Sequence, residues 1–217
     1  MPEPEQLGLP HIGTDESGKG DYFGPLVVAA AYADDLALTR LPEAGVRDAK
    51  RVATSTLWRL EKAVKQICPA FEVVLISPAR YNELHAKMRN LNRLLAWAHA
   101  RAIENLLDRV SCDLAVADQF GDESYLERSL MERGRKIRLL QRVRAESDPA
   151  VAAASVLARA AFLRALERLS GEIGLELPRG ATHVVPAARG VVAKGGEQLL
   201  RRVAKIHFKT TKSVLQG

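Results

Sequence analysis

The chain has 217 residues, 47% of them hydrophobic, with a formal net charge of +6 and a pI near 9.5. That length suits one domain with an ample core, and two cysteines exclude a disulfide framework. No apolar run in the sequence reaches the roughly 18–20 residues of a membrane span, and the basic balance fits polyanionic partners such as nucleic acid and, equally, a plain arginine-rich surface.

The first residues, MPEPEQLGLP, are acidic and proline-rich and lack the pattern of a secretory signal. Residues 1–10 read as a flexible tail and 11–217 as a single domain. Cys68 and Cys112 read as reduced thiols of a cytoplasmic protein. "LPHIGTD" predicts a short strand ending at Asp15, and "PLVVAAAYA" (25–33) a second strand. A turn-rich segment joins them, too short for a parallel crossover, so an antiparallel pair is expected. "LPEAGVRDAK" (41–50) reads as loop, "TSTLWRLEKAVKQIC" (54–68) as helix and "FEVVLIS" (71–77) as a buried strand closed by Pro78. Residues 78–109 have helical period, with a division expected near Asn90–Asn92. "CDLAVADQF" (112–120) predicts a strand ending near Asp118, 123–134 a short helix, 136–145 a strand, and 148–171 a strong amphipathic helix opened by Asp148 and Pro149. The remainder is a Pro/Gly loop, further helix and a basic tail. Strands and helices alternating after residue 54 predict an α/β fold with parallel strands and helices on both faces.

"GTDESGKGDYFGP", from Gly13 to Pro25, admits three readings. As a phosphate-binding P-loop it lacks the hydroxyl after Gly18-Lys19, since position 20 is glycine, and no helix follows. As a solvated turn it would carry its acids in mid-turn, whereas Asp15 ends a strand. As a metal corner it fits best: hard divalent cations take oxygen ligands, and ligands in such sheets gather beyond the carboxyl ends of the strands. Asp15, Asp118 and Glu146 each follow a different predicted strand, and Glu16 stands beside Asp15. Gly18 and Gly20 allow close backbone approach to a 2′-hydroxyl or phosphate, and Lys19 is either a phosphate partner or a solvated turn lysine.

These residues resemble the type 2 ribonucleases H, specifically ribonuclease HIII. "DESGKGDYFGPLVVAA" is similar to the first signature of that group, and "VRDAK" to its D-S-K element with Ala49 in place of serine. "YNELHAKMRNLNRLLAWAHARAIENLL", "ADQF", "RAESDPAVAAASVLARAAFL", "LPRGA" and "VAKIHFKTTK" resemble its later elements, so the likeness covers nearly the whole chain after residue 10. The resemblance implies a ribonuclease H-like fold: a mixed five-stranded sheet flanked by helices, with additional C-terminal helices. It implies hydrolysis of the RNA strand of RNA/DNA hybrids with Mg²⁺ or Mn²⁺, leaving 3′-hydroxyl and 5′-phosphate ends. It also implies Asp15, Glu16, Asp118 and Glu146 as catalytic, metal-holding carboxylates and Gly18-Lys19-Gly20 as the backbone motif on the RNA 2′-hydroxyls. Asp148 reads as a helix cap and stands as the fallback fourth ligand. The resemblance also implies an N-terminal substrate-binding domain, which proteins of this group usually carry, whereas in this sequence only a short tail is expected before the first strand.

On that basis the acids would hold two cations for in-line hydrolysis, and the 2′-hydroxyl would mark the RNA strand. Arg201, Arg202, Lys205, Lys209 and Lys212 are candidates to follow the DNA strand's phosphates, against the plainer reading of a solvated helix end. No tyrosine follows Tyr125, so poor incision at single ribonucleotides, the ribonuclease HII habit, is expected. His85, His99, Trp58 and Trp97 read as packing residues, and Asp48 with Lys50 as a structural pair near the site. Competing functions are HII-type incision and a non-catalytic nucleic-acid-binding module. A monomer with no membrane association is expected.

Overall fold

The computed structural model describes residues 9–47 and 52–216, except for the side chain of Glu146. The remainder of the expected tail, together with Asp48 and Lys50, lies outside the described residues. Four runs that carry β-branched or small apolar residues become strands, β1 His11–Ser17, β2 Leu26–Ala33, β3 Ala70–Ile76 and β4 Leu114–Asp118, and the leucine pair of Arg138–Arg142 forms β5. They form one mixed sheet in the order β3-β2-β1-β4-β5, in which β4 is parallel to both β1 and β5. β2 is buried on both faces for most of its length, which explains why its sequence is continuously apolar rather than alternating.

Eight helices accompany the sheet among the described residues: α1 Asp35–Glu43, α2 Thr54–Ile67, α3 Pro78–Met88, α4 Leu91–Leu107, α5 Ser124–Ser129, α6 Pro149–Ile173, α7 Val185–Val203 and α8 Lys209–Leu215. The sequence reading has no helix at α1 and treats its end as loop. The structure corrects this: Asp34 caps the helix by accepting from the Ala37 N–H at 2.8 Å, and Pro42, which has no N–H to donate to the preceding turn, stands one residue before the helix ends at Glu43. The expected break near Asn90 is a left-handed Arg89, φ 51°, whose N–H closes α3 on the His85 carbonyl. α5 is shorter than expected. Its continuation is a 3-10 turn, Gly134–Lys136, and Glu104 accepts from the N–H groups of Arg133 and Gly134 at 2.9 Å each.

α6 departs from the expectation that no segment is apolar enough to span a bilayer. Its most apolar window reaches a mean hydropathy of 1.4, enough on length and composition alone, and 72% of that window is buried in the protein. A small-residue first turn allows this burial. A Cβ on Gly13 of β1 would lie 2.1 Å from the Ala150 carbonyl carbon, so the helix lies directly on the strand backbone.

The chain divides into two units. One holds the described parts of Met1–Glu16, Val28–Val74 and Asn92–Ala160; the other holds Ser17–Val27, Leu75–Leu91 and Ala161–Gly217. The first contains a core of Leu114, Val116, Ala145 and Val151 with Leu140 against it. In the second, Tyr22, Phe23, Tyr81 and Leu200 are wholly buried.

Candidate active site

In the first unit, β1 and β4 run in parallel with Ile12 opposite Ala115, Gly13 opposite Val116 and Thr14 opposite Ala117. One step further along each strand stand Asp15 and Asp118. Side chains at matched positions of neighbouring parallel strands leave on one face, so the two acids are neighbours at the C-terminal edge. β4 ends on Asp118 after four buried apolar residues, and β5 ends opposite it at Arg142. The connection that follows is drawn onto the acid: the Ala145 N–H donates to Asp118 Oδ1 at 3.1 Å. Glu146 is the next residue, in a 3-10 turn spanning Ala145–Ser147. Its side chain lies outside the described residues.

Asp15 is 4% exposed. Its Oδ1 accepts from the Glu16 N–H at 2.8 Å, and the Ser155 hydroxyl of α6 also bonds it. Burial, reinforced by the neighbouring Glu16 charge, pushes Asp15 up to about 7. Glu16 takes the other face by strand alternation, the face of Thr14. There His99 of α4 links the two, with Nδ1 3.0 Å from Thr14 Oγ1 and Nε2 3.2 Å from Glu16 Oε2. The ring of Phe120, two residues beyond Asp118, stacks on His99 at 5.0 Å between centroids. His99 is therefore a packed and satisfied histidine, as the sequence suggests, but one of its partners is a candidate ligand, which sequence alone did not reveal. Among the described residues no three His, Cys, Asp or Glu side chains already sit together as a metal set.

Asp148 is a helix cap. It accepts from the N–H groups of Ala150 at 2.9 Å and Val151 at 3.1 Å, and both its oxygens lie 2.9 Å from His11 Nε2. That anchors it four residues back along β1 from Asp15, roughly 13 Å at ~3.3 Å per residue. Burial alone would lower the pKa of His11, but the hydrogen bond and charge of Asp148 outweigh it, and the net shift is upward.

In the second unit, Gly18 opens the turn with φ +87°. A Cβ there would stand 2.2 Å from the Pro25 carbonyl oxygen and 2.8 Å from Phe162, so only glycine fits. A Cβ on Gly20 would meet nothing within 4 Å; that residue is exposed, while Lys19 is half-buried. Asp21 Oδ1 accepts from the Gly180 N–H at 2.6 Å, tying the turn to the "LPRGA" loop. Tyr22 and Phe23 are fully buried, and the Tyr22 hydroxyl lies 3.1 Å from Thr211 Oγ1. Arg201, Arg202, Lys209 and Lys212 are exposed, as a surface for phosphates requires. Lys205 is not: it is 0% exposed, so its expected place among the phosphate-facing cations is corrected. Burial pulls its pKa down to about 7, with the Asp21 carboxylate opposing.

A mixed five-stranded sheet carrying acids at the C-terminal ends of its adjacent central strands defines an enzyme of the ribonuclease H-like class. Comparison with known proteins narrows the class. The family model described as Ribonuclease HII matches residues 12–211, and the chain belongs to that family. It is 44% identical over 207 residues to Ribonuclease HIII of Protochlamydia amoebophila, covering 95% of this chain and 68% of the relative. It is 42% identical over 217 residues to Ribonuclease HIII of Chlamydia pneumoniae, covering 98% and 72%. The crystal structure of Bst-RNase HIII in complex with Mn²⁺ superposes with a TM-score of 0.90 at 34% identity, covering 99% of this chain and 73% of that one. The enzyme is a ribonuclease H, and the expected fold is the one found.

Proposed function

We propose that this ribonuclease H cuts the RNA strand of RNA/DNA hybrids endonucleolytically, using Mg²⁺ or Mn²⁺ and leaving 3′-hydroxyl and 5′-phosphate ends. The observation that carries the reading is the β1–β4 register, which sets Asp15 and Asp118 side by side at the sheet's carboxyl edge in a chain of this family. The donor set fits a hard divalent cation: it offers carboxylate oxygens and no thiolate. The unfavourable burial of Asp15 beside Glu16 is also what a cation would relieve. A relative, Bst-RNase HIII, was crystallised with Mn²⁺.

When bound, such cations activate water and stabilise the leaving 3′-oxygen. The chain's own residues do the rest. Asp15 and Asp118 would hold the cations from two strands. Glu16, steadied by His99, would contribute from the adjacent position, and Glu146, a residue of the turn that Asp118 anchors, is the fourth acid of the proposed set. Gly18, Lys19 and Gly20 offer backbone groups and one cation to the RNA strand, whose 2′-hydroxyls distinguish it from DNA.

The test is cleavage of an end-labelled continuous RNA/DNA hybrid and of a DNA duplex with one embedded ribonucleotide, each with Mg²⁺ or Mn²⁺. Multi-site cutting of the hybrid alone, lost in Asp118→Asn, is the expected result. Preferential incision at the single ribonucleotide would move the chain to HII-type specificity. No cutting of either would leave a binding module.

A further inference from the structure

Lys205 is the one lysine or arginine that is buried among the described residues. Its Nζ donates to the carbonyl oxygens of Asp21 at 2.8 Å and Gly24 at 2.7 Å, with that of Phe23 at 3.5 Å. Its backbone N–H donates to the Tyr22 carbonyl at 2.8 Å. Residues 21–24 thus turn every one of their carbonyls toward this single residue. The pairing extends on either side: Gly24 N–H donates to the Val203 carbonyl at 2.9 Å, and Phe23 forms an isolated antiparallel bridge with Ala204. The ammonium also lies 5.8 Å from the centre of the buried Tyr81 ring.

An ammonium has three N–H donors, and three carbonyls receive them. Without the cation the buried oxygens of Phe23 and Gly24 would lose this donor, which is the costly form of burial. The turn has little of its own to replace it. Its internal backbone bond, Asp21 N–H to the Gly18 carbonyl, is long at 3.3 Å.

We propose that Lys205 is a positioning residue for substrate. It serves as a built-in cation that gathers the carbonyls of residues 21–24 and thereby sets the shape in which Gly18, Lys19 and Gly20 are presented to the RNA strand. This inference rests on the reading of that turn as a hybrid contact. It assigns Lys205 to substrate binding without touching substrate, and it separates that residue from the exposed cations on either side of it in sequence.

The test uses the full chain, a continuous RNA/DNA hybrid and Mn²⁺. Steady-state kinetics are measured for the wild type, Lys205→Met, Lys19→Ala and the double variant. Wild-type cleavage and a raised KM in Lys19→Ala check, without reference to Lys205, that the chain cuts hybrids and that the turn touches them. For Lys205→Met the expected result is a KM raised about tenfold with kcat within about threefold. Lys19→Ala then adds less than about twofold in the Lys205→Met background, because the turn is already displaced. An unchanged KM, an equal loss in kcat, or full additivity of the two substitutions overturns the proposal. Lys205→Ala guards against a mere folding defect, since n-propylammonium can replace the missing stem and charge whereas n-propanol replaces only the stem. Recovery of KM with the ammonium and not the alcohol supports the proposal. Equal recovery with both, or recovery with neither, overturns it.

Discussion

The acid edge of β1 and β4 and the turn at 18–24 pose opposite electrostatic problems. At the edge, a carboxylate is buried next to a second carboxylate, and Asp15 is pushed up to about 7. At the turn, an ammonium is buried, and Lys205 is pulled down to about 7. The turn answers its problem internally with the carbonyls of Asp21, Phe23 and Gly24. The edge surrounds Asp15 with an N–H, a hydroxyl and a like charge. A buried charge matched within the chain holds a shape. A cluster of like charges left to be matched from outside is where a ligand belongs.

The largest effect should come from breaking the edge. Asp118→Asn keeps an oxygen for the Ala145 N–H and should leave the fold intact, while hybrid cleavage falls by at least about a thousandfold. Turnover near the wild-type rate would remove Asp118 from the site. Asp15→Asn should behave in a second, less obvious way. An acid whose pKa is raised on folding holds its proton more tightly folded than unfolded. Stability therefore declines as pH rises from about 4, where the unfolded acid ionises, to about 7, where the folded one does. In EDTA near pH 8, Asp15→Asn should be more stable than wild type by up to ~4 kcal/mol, with the gap closing below about pH 4. Added divalent cation should reverse the order, stabilising wild type and not the variant. Denaturant titrations at both pH values, with and without Mn²⁺, check this; a wild type more stable in EDTA at every pH would contradict it.

The turn gives a smaller and more local contrast. Sequence alone treats Gly18 and Gly20 as equivalent members of one motif. The structure separates them. Gly18→Ala meets a positive φ and a carbonyl 2.2 Å away, and should cost about 2–4 kcal/mol. Gly20→Ala meets nothing within 4 Å and should change stability by less than ~1 kcal/mol. Thermal unfolding of the two variants checks the ranking, and equal losses would show that the turn is not shaped as described.

Apolar runs made most strands and α6 readable, and the acids could be placed at strand ends before any register was known. α1 was not readable, because Pro42 and a short amphipathic pattern look like loop until the Asp34 cap is seen. His99 was legible as a buried helical residue, but its contact with Glu16 depends on a strand 83 residues earlier in the chain. Lys205 misled for a related reason. A lysine amid "VAKIHFKTTK" looks solvated, and only the fold brings the carbonyls of residues 21–24 around it. Local pattern shows which residues can form an element; partners distant in sequence decide whether a charge is exposed or enclosed.

His11 and Asp148 provide a third case, a buried pair of opposite sign, and the smallest expected effect. Asp148→Ala removes the cap of α6, at about 1 kcal/mol, and leaves His11 without its carboxylate. The pKa of His11 is raised in the folded state because the Asp148 bond and charge outweigh desolvation. A histidine raised in this way contributes stability that is fully present below its unfolded pKa of about 6.5 and is lost as pH rises through its higher folded value. The destabilisation caused by Asp148→Ala should therefore be larger near pH 6 than near pH 9, where only the cap contribution remains. Asp148→Asn, which can still cap the helix, should keep most of the stability near pH 9 and lose the pH-dependent part. Denaturant midpoints for both variants at the two pH values distinguish cap from pair. A pH-independent difference for Asp148→Ala would mean that His11 stays neutral and that the pair, unlike Lys205 and its carbonyls, holds no charge in place.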